Sequence, residues 1–171
     1  AELKEPARYA KIWRDYFRRQ HHQELFLVST MSFDDVDPRT YGFDAAQDFA
    51  PQSAFFKESL FKDGRLPYVD VSKRLLDSTF TGQVADYRQI ALNTKLNNFF
   101  DFPTFRGVTP AWDNSARRPG KGVVMCNNNP DIYGAWLDNA LTAAERSEPE
   151  KAPLVFINAW NEWCEGSYLE P

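Results

Sequence analysis

The sequence is short of cysteine and of long apolar runs, and both shortages exclude whole classes of protein. Cys126 and Cys164 are its only cysteines, so there is no disulfide framework and no zinc site built from thiolates. A reducing compartment is the mild inference, and we expect a cytoplasmic location. No apolar run approaches the roughly 20 residues of a membrane span. No signal peptide opens the chain, which says little if the chain is a fragment.

An excess of basic charge is also missing. Twenty Lys and Arg residues stand against 24 Asp and Glu residues, which gives a formal net charge of −4. Nucleic acid and anionic membranes are therefore poor candidates for the main partner. Aromatic residues, in contrast, make up 15% of the chain. Most of the Phe residues suit a core, but five Trp and seven Tyr favour a ligand with flat apolar faces, such as a sugar ring.

Short apolar runs alternate with helical patterns along the chain. The runs predict four strands, at Leu25–Thr30, Pro67–Val71, Phe105–Thr109 and Leu154–Ile157. Helical patterns cover residues 2–20, the residues from about Ser72, Asp86 to about Asn98, and Asp131 to about Arg146. Residues 31–46 (MSFDDVDPRTYGFDAA) are typical of an acidic loop. Such alternation indicates an α/β fold with a parallel sheet, and four βα units are half of a (β/α)₈ TIM barrel.

The last eighteen residues, 154–171, carry the strongest functional signal. A buried strand there ends in carboxylates and aromatic rings, as active sites at the carboxyl ends of parallel strands do. Glu162 and Glu165 share a face if the chain turns after the strand, and Gly166 favours a tight turn. We therefore predict both glutamates to be catalytic; the alternative is two surface charges on a loop.

Further polar and aromatic residues follow the last two predicted strands. We predict that they bind substrate, with Trp112 as a stacking platform for a pyranose ring. The predicted substrate-binding residues are Trp112, Asp113, Asn114, Arg117, Asn158, Trp160, Asn161, Trp163 and Tyr168. An Asp-Asn turn with solvated arginines is the alternative for the loop at 113–118. Asp35-Val36-Asp37 is formally a DxD metal motif, but Pro38 follows it at once. We expect no metal and no other cofactor.

Three stretches resemble one family. They are FRGVTPAWDNSARR (105–118), INAWNEWCEGSYLEP (157–171) and, more loosely, DPRTYGFDAA (37–46). They look like the WbsX-type domain, usually labelled a glycosyltransferase of cell-surface polysaccharide synthesis. That domain is similar to glycoside hydrolase family 99, the endo-acting α-mannosidases. The resemblance covers nearly the whole chain for the WbsX type and about the last seventy residues for the hydrolase family.

The resemblance implies a (β/α)₈ barrel in which the predicted strands are strands 5 to 8. Residues 1–171 would then form a single partial domain, a fragment of a longer chain and inactive by itself. A half-barrel leaves strand edges open, so we expect either the N-terminal half of the barrel as partner or self-association. By similarity to family 99, Glu165 is the general acid/base. Glu162 would deprotonate the sugar 2-hydroxyl, whose oxygen attacks the anomeric carbon, with retention through an anhydro sugar.

Two functions remain open on the sequence. The first is a carbohydrate-active enzyme of cell-surface polysaccharide metabolism, of the O-antigen or lipopolysaccharide kind, acting on an oligo- or polysaccharide. Whether such an enzyme makes or cleaves glycosidic bonds is undecided. The second is a non-catalytic glycan-binding or scaffolding domain of a polysaccharide assembly protein. It would bind sugar without turnover and would tolerate loss of either glutamate.

Overall fold

A computed structural model describes residues 4–32, 37–51, 68–70, 78–93, 100–147 and 154–170. The helices are α1 (Pro6–His21), α2 (Tyr87–Asn93) and α3 (Pro130–Ser147), with 3₁₀ turns at Pro38–Tyr41 and Trp163–Glu165. The strands are β1 (Val28–Met31), β2 (Ala45–Asp48), β3 (Gln83–Asp86), β4 (Thr104–Val108), β5 (Val123–Cys126), β6 (Val155–Ile157), β7 (Asn161–Glu162) and β8 (Ser167–Tyr168). In these ranges no helix combines the length and apolarity that crossing a membrane requires.

The main sheet is parallel and runs in chain order. Its strands lie in the order β1-β2-β4-β6, and every neighbouring pair is parallel. A doubly wound sheet reverses its strand order at a switch point, whereas a barrel adds strands in one direction. The predicted α/β class with parallel strands is therefore confirmed. The strand order is compatible with part of a barrel.

The second strand of this sheet lies where the sequence predicted a loop. Ala45–Asp48 forms β2 between β1 and β4, so the prediction of a loop over residues 31–46 was wrong at its end. Ala45 and Ala46 are fully buried. Backbone pairing on both sides and burial of small side chains make this a strand, although its sequence AAQD has little strand propensity.

The predicted strand at Pro67–Val71 is not a strand of the main sheet. Tyr68 forms one isolated antiparallel bridge with Ala85, and residues 69–70 are irregular. Residues 67 and 71 and the helix predicted from Ser72 lie outside the described residues. Over the three residues that are described, 68–70, this one bridge does not make a ladder. The other three predicted strands are confirmed, at slightly shifted bounds, as β1, β4 and β6.

A second, two-stranded parallel sheet was not predicted. It joins β3 to β5, in register from Gln83 opposite Val123 to Asp86 opposite Cys126. β5 is also tied to the loop after β4, since the Met125 N–H donates to the Trp112 carbonyl at 2.8 Å. This sheet therefore holds the loop that follows β4 in place.

The helices cover β4 and build the larger core cluster. Helices are confirmed for α1 and α3 and, over its described residues, for α2; residues 94–99 lie outside the described part. Tyr87 of α2 and Trp136 of α3 pack edge to face, with centroids 5.8 Å apart, and Val108 of β4 belongs to the same cluster. The N-cap of α3 is Asn129, whose Oδ1 accepts from the Ile132 N–H at 2.9 Å. This packing fixes the carboxyl end of β4.

Candidate glycan-processing site

A tight hairpin after β6 carries both candidate glutamates. β7 and β8 are antiparallel, and the 3₁₀ turn Trp163–Glu165 connects them. Gly166 ends the turn at φ +58°, a backbone conformation that glycine adopts without steric cost, and its N–H donates to the Trp163 carbonyl at 3.1 Å. The tight turn that Gly166 predicted is confirmed. It lies at the carboxyl end of β6, where α/β sheets place their active sites.

Glu165 is buried and held from two sides. Its residue is 8% exposed, and its carboxylate accepts a hydrogen bond from the Arg117 guanidinium. Its carbonyl oxygen accepts from the Asp113 N–H at 2.7 Å. A buried carboxylate needs such partners, since an unpaired buried charge is costly. Glu165 therefore links the loop after β6 to the loop after β4.

Arg117 is positioned by a buried asparagine. The Asn114 carbonyl accepts from the Arg117 N–H at 3.1 Å, and Asn114 Oδ1 accepts from the Val123 N–H at 2.7 Å. In the ion pair, 58% of the Arg117 side chain is exposed but only 10% of the Glu165 side chain. The guanidinium thus reaches in from solvent to a buried carboxylate.

Glu162 has a different environment from Glu165. It lies half-buried in β7, opposite Ser167 of β8. Its carboxylate has no ion-pair partner in the described part of the chain. Two carboxylates with unlike surroundings suit a pair in which one acts as acid and the other as base.

Two neighbouring exposed rings lie on the hairpin that carries the glutamates. Trp163 is 62% exposed and Tyr168 is 52% exposed. Their rings lie 6.1 Å apart, and Trp163 Nε1 donates to the Glu170 carboxylate at 3.2 Å. We call these two residues the aromatic surface. Trp160, which is also 62% exposed, directly precedes β7, and the assignment of all three rings to substrate stays a prediction.

The loop after β4 contributes less to the surface than the sequence predicted. Trp112 is only 4% exposed and belongs to the core cluster, so the predicted stacking platform does not fit its position. Its ring packs in the core together with residues of β5. Asn114 is 5% exposed and its side-chain oxygen is already bonded. Asp113 is exposed, and its Oδ1 accepts from the Ser115 N–H at 2.9 Å, which is the Asp-Asn turn considered as the alternative.

The two asparagines of the hairpin differ in role. Asn158 Nδ2 donates to the Ala50 carbonyl at 2.8 Å, and the Asn158 carbonyl accepts from Ser167 Oγ at 2.6 Å. The Asn158–Ala159 peptide bond is cis. Asn158 therefore connects the ends of β2 and β6. Asn161, in contrast, is exposed to solvent.

Two buried hydroxyl groups under the site were missed by the sequence reasoning. Thr109 and Ser167 are fully buried, and their hydroxyl oxygens lie 2.8 Å apart. Tyr87 Oη donates to the Thr109 carbonyl at 2.6 Å. These bonds pin the start of the β4 loop to β8. No pattern in the sequence signals them, because the partners are 22 and 58 residues apart.

No cation site is formed by the described residues: none of their His, Cys, Asp and Glu side chains form a group of three or more able to hold a metal ion. In the DxD motif, Asp35 and Val36 lie outside the described residues, and Asp37 bonds to Arg39. Elsewhere, hydrogen bonds from the Arg88 side chain lower the pKa of Asp86 below its ordinary value. Burial raises the pKa of the Cys126 thiol, which makes it a poor nucleophile at neutral pH.

Comparison with known proteins points to carbohydrate chemistry. The profile of the family described as glycosyltransferase WbsX matches residues 1–171. Two relatives, each described as "uncharacterized protein WxcX", come from the ATCC 33913 and B100 strains of Xanthomonas campestris pv. campestris. Each is 36% identical over 169 residues, which is 99% of this chain and 23% of the relative. No solved structure matches.

The chain therefore belongs to the glycosyltransferase WbsX family, as its motifs predicted. The family name indicates a carbohydrate-active domain. The chain spans less than a quarter of the length of the curated relatives it matches. The similarity to glycoside hydrolase family 99 is not tested by these matches and stays a prediction.

Proposed function

We propose that the chain is the C-terminal half, strands 5 to 8, of a (β/α)₈ barrel that makes or cleaves glycosidic bonds of a cell-surface polysaccharide. One observation carries the proposal: a buried and a half-buried glutamate lie in one tight hairpin at the carboxyl end of a parallel strand. The in-order parallel sheet supports the barrel. Membership in a family named for glycosyl transfer supports the substrate class.

The two glutamates divide the chemistry between them, in the mechanism that similarity to family 99 implies. Protonated Glu165 gives its proton to the leaving oxygen. The Glu162 carboxylate takes the proton of the sugar 2-hydroxyl, whose oxygen bonds to the anomeric carbon as the glycosidic bond breaks. Water or an acceptor hydroxyl then opens the anhydro sugar. Glu165 removes a proton from this nucleophile, Glu162 returns its own, and the configuration is retained.

Arg117 is the group that must move in this mechanism. Its guanidinium donates to a carboxylate oxygen of Glu165, the group that has to give a proton to the leaving oxygen. More than half of the Arg117 side chain is exposed, so it can swing into solvent. A glycan that enters the hairpin therefore has to displace Arg117 before the first proton transfer.

The same ion pair favours a second candidate function. An ion pair between Glu165 and Arg117 can stabilise the fold, and in that role Glu165 would not take part in catalysis. The chain would then be a non-catalytic glycan-binding or scaffolding domain of a polysaccharide assembly protein. The aromatic surface serves either function.

Substitution of the glutamates in the full-length protein separates the two functions. For an enzyme, Glu165→Gln lowers turnover of substrates with poor leaving groups by about 10²–10⁴-fold. It spares activated aryl glycosides more, because these need little protonation. Glu162→Gln is severe for both kinds of substrate, and a 2-deoxy substrate is inert even to the unmodified protein. Glu145→Gln, on the exposed side of α3, is the matched control.

Binding measurements complete the test. Both glutamate variants still bind glycan, whereas Trp163→Ala weakens binding by about 5–10-fold, the usual cost of truncating an aromatic anchor. Trp13→Ala removes a 42%-exposed ring on α1 and leaves binding unchanged. Turnover of the 2-deoxy substrate, or equal mild losses in both glutamate variants, discards the enzyme in favour of the binding domain.

A row of rings on the main sheet supports the partner that we propose. Phe26, which is 60% exposed, packs 6.1 Å from Phe105, and Phe105 packs 6.0 Å from Phe156. We propose that this apolar row is covered by the other half of the barrel in a longer chain, or by a second copy of this chain. A monodisperse monomer of residues 1–171 in sedimentation, with equal amide-exchange protection of all strands, contradicts this proposal.

A further inference from the structure

We infer that a pocket beside the candidate site is an additional subsite for a neutral sugar unit of the glycan. The pocket has a volume of about 500 Å³. Its walls are the loop after β4 (Pro110, Ala111), the start of α3 (residues 128–130 with Tyr133) and the chain from Gly166 to Glu170. The volume lies within the roughly 300–1,000 Å³ of small-molecule sites. The inference rests on the proposed function, because it assigns one part of that substrate to this pocket.

The pocket is continuous with the hairpin. Gly166 directly follows Glu165 in the chain, and Tyr168 belongs both to the pocket wall and to the aromatic surface. Glu170, at the pocket edge, accepts the indole N–H of Trp163. A glycan lying along the aromatic surface therefore reaches the pocket without crossing another element.

The lining has the chemistry that sugars select. Two exposed amide side chains, Asn128 and Asn129, stand at one wall. The side-chain oxygen of Asn129 caps α3. Among the described residues, no group accepts a hydrogen bond from its amide nitrogen. Pro130, Tyr133 and Tyr168 add apolar faces. The amide groups can hydrogen-bond to the hydroxyls of a sugar, and the rings and the proline can pack against its C–H faces. This lining matches a pyranose better than a purely apolar ligand.

Tyr133 contributes apolar surface to the pocket. Its hydroxyl oxygen is buried and, among the described side chains, has no hydrogen-bond partner. A ligand in the open pocket therefore contacts other atoms of Tyr133, and hydrogen bonding to sugar hydroxyls is left to Asn128 and to the amide of Asn129.

The charge of the lining selects the kind of sugar. Glu170 is its only charged residue, and neither Lys nor Arg contributes to the described walls. A carboxylate beside the ligand repels uronic acids and phosphorylated sugars, so the pocket fits a neutral pyranose.

Asn128→Ala and Asn129→Asp test the inference with little risk to the fold, because Asn128 is exposed and an aspartate at position 129 keeps the side-chain oxygen that caps α3 while it removes the amide donor. Calorimetric titration uses neutral di- to tetrasaccharides of glucose, mannose, galactose and N-acetylglucosamine, with oligogalacturonates as the acidic comparison. We expect Asn128→Ala and Asn129→Asp each to weaken binding of the longer neutral glycans about 3–10-fold. Asn139→Ala, an exposed asparagine farther along α3, is the matched control and has no effect. In turnover, the two pocket variants raise KM for long substrates and leave an aryl monosaccharide unaffected.

The outcomes separate this inference from the proposed function. Unchanged binding in both pocket variants, tighter binding of the acidic glycans, or binding of none of the probes overturns the subsite. Loss of turnover in the glutamate variants together with unaffected pocket variants overturns the subsite alone. Pocket-dependent binding without any turnover upholds the subsite and overturns the enzyme.

Discussion

Replacing Arg117 with methionine removes the cation that pairs with Glu165 while keeping an unbranched side chain of similar reach. The loss leaves a carboxylate that is only 10% exposed without its charged partner. Hydrogen bonds to charged groups contribute roughly 1.5–3 kcal/mol. Arg117 is 58% exposed, so solvent screening reduces this figure. We expect Arg117→Met to lower the free energy of unfolding by about 1–2 kcal/mol at pH 7.

A double-mutant cycle of Arg117→Met and Glu165→Gln, measured by urea unfolding at pH 7, isolates the interaction. The tryptophans report the transition. We expect a coupling energy of about 1 kcal/mol. Arg118→Met, an exposed neighbour, is the control. A coupling energy near zero refutes the ion pair and with it the requirement that Arg117 move.

Three further predictions concern the framework of the site. Trp112→Ala opens a cavity in the core and costs about 3–5 kcal/mol in urea unfolding; a cost below about 1 kcal/mol would place the ring outside the core. Gly166→Ala strains a residue at φ +58° and sets its Cβ 3.1 Å from Asp113. It therefore loses about 1–3 kcal/mol of stability and lowers turnover, whereas Gly134→Ala in α3, where a Cβ meets nothing within 4 Å, stabilises by up to about 1 kcal/mol. The lowered pKa of Asp86 means that the native carboxyl binds protons less readily than the unfolded one, so its contribution is present above the ordinary value of 3.8 and is lost as pH falls below it. Arg88→Met therefore destabilises at pH 7 and not in strong acid, and a loss independent of pH would contradict this assignment.

The parts of the fold that the sequence predicted are those with a strong local pattern. β6 is part of an unbroken apolar run and α3 has a clear apolar face after an Asn-Pro start, so their types were evident. β2 has no such pattern, because its two alanines become strand residues only when β1 and β4 pair on either side. The sequence likewise predicted a strand around Tyr68, where the tertiary context supplies a single bridge.

The candidate site divides in the same way. The hairpin that carries the two glutamates is local, and Gly166 predicted its turn. The partner of Glu165 lies 48 residues away in the chain, a distance at which no spacing rule applies. Trp112 shows a third case: its residue type suited sugar stacking, and only the packing of β5 and α3 revealed that the ring is enclosed.

The bond between the Asp113 N–H and the Glu165 carbonyl, 2.7 Å long, bears on how such a site is re-engineered. This bond, the Thr109–Ser167 contact and the close approach of Gly166 to Asp113 join the segments at 109–126 and 158–170 into one structural unit. A chimera that takes only one of the two segments from a related protein keeps the strands but disrupts the contacts between the segments. A graft that is meant to change what the site binds should therefore move both segments at once, with β5 included because it supports the first segment.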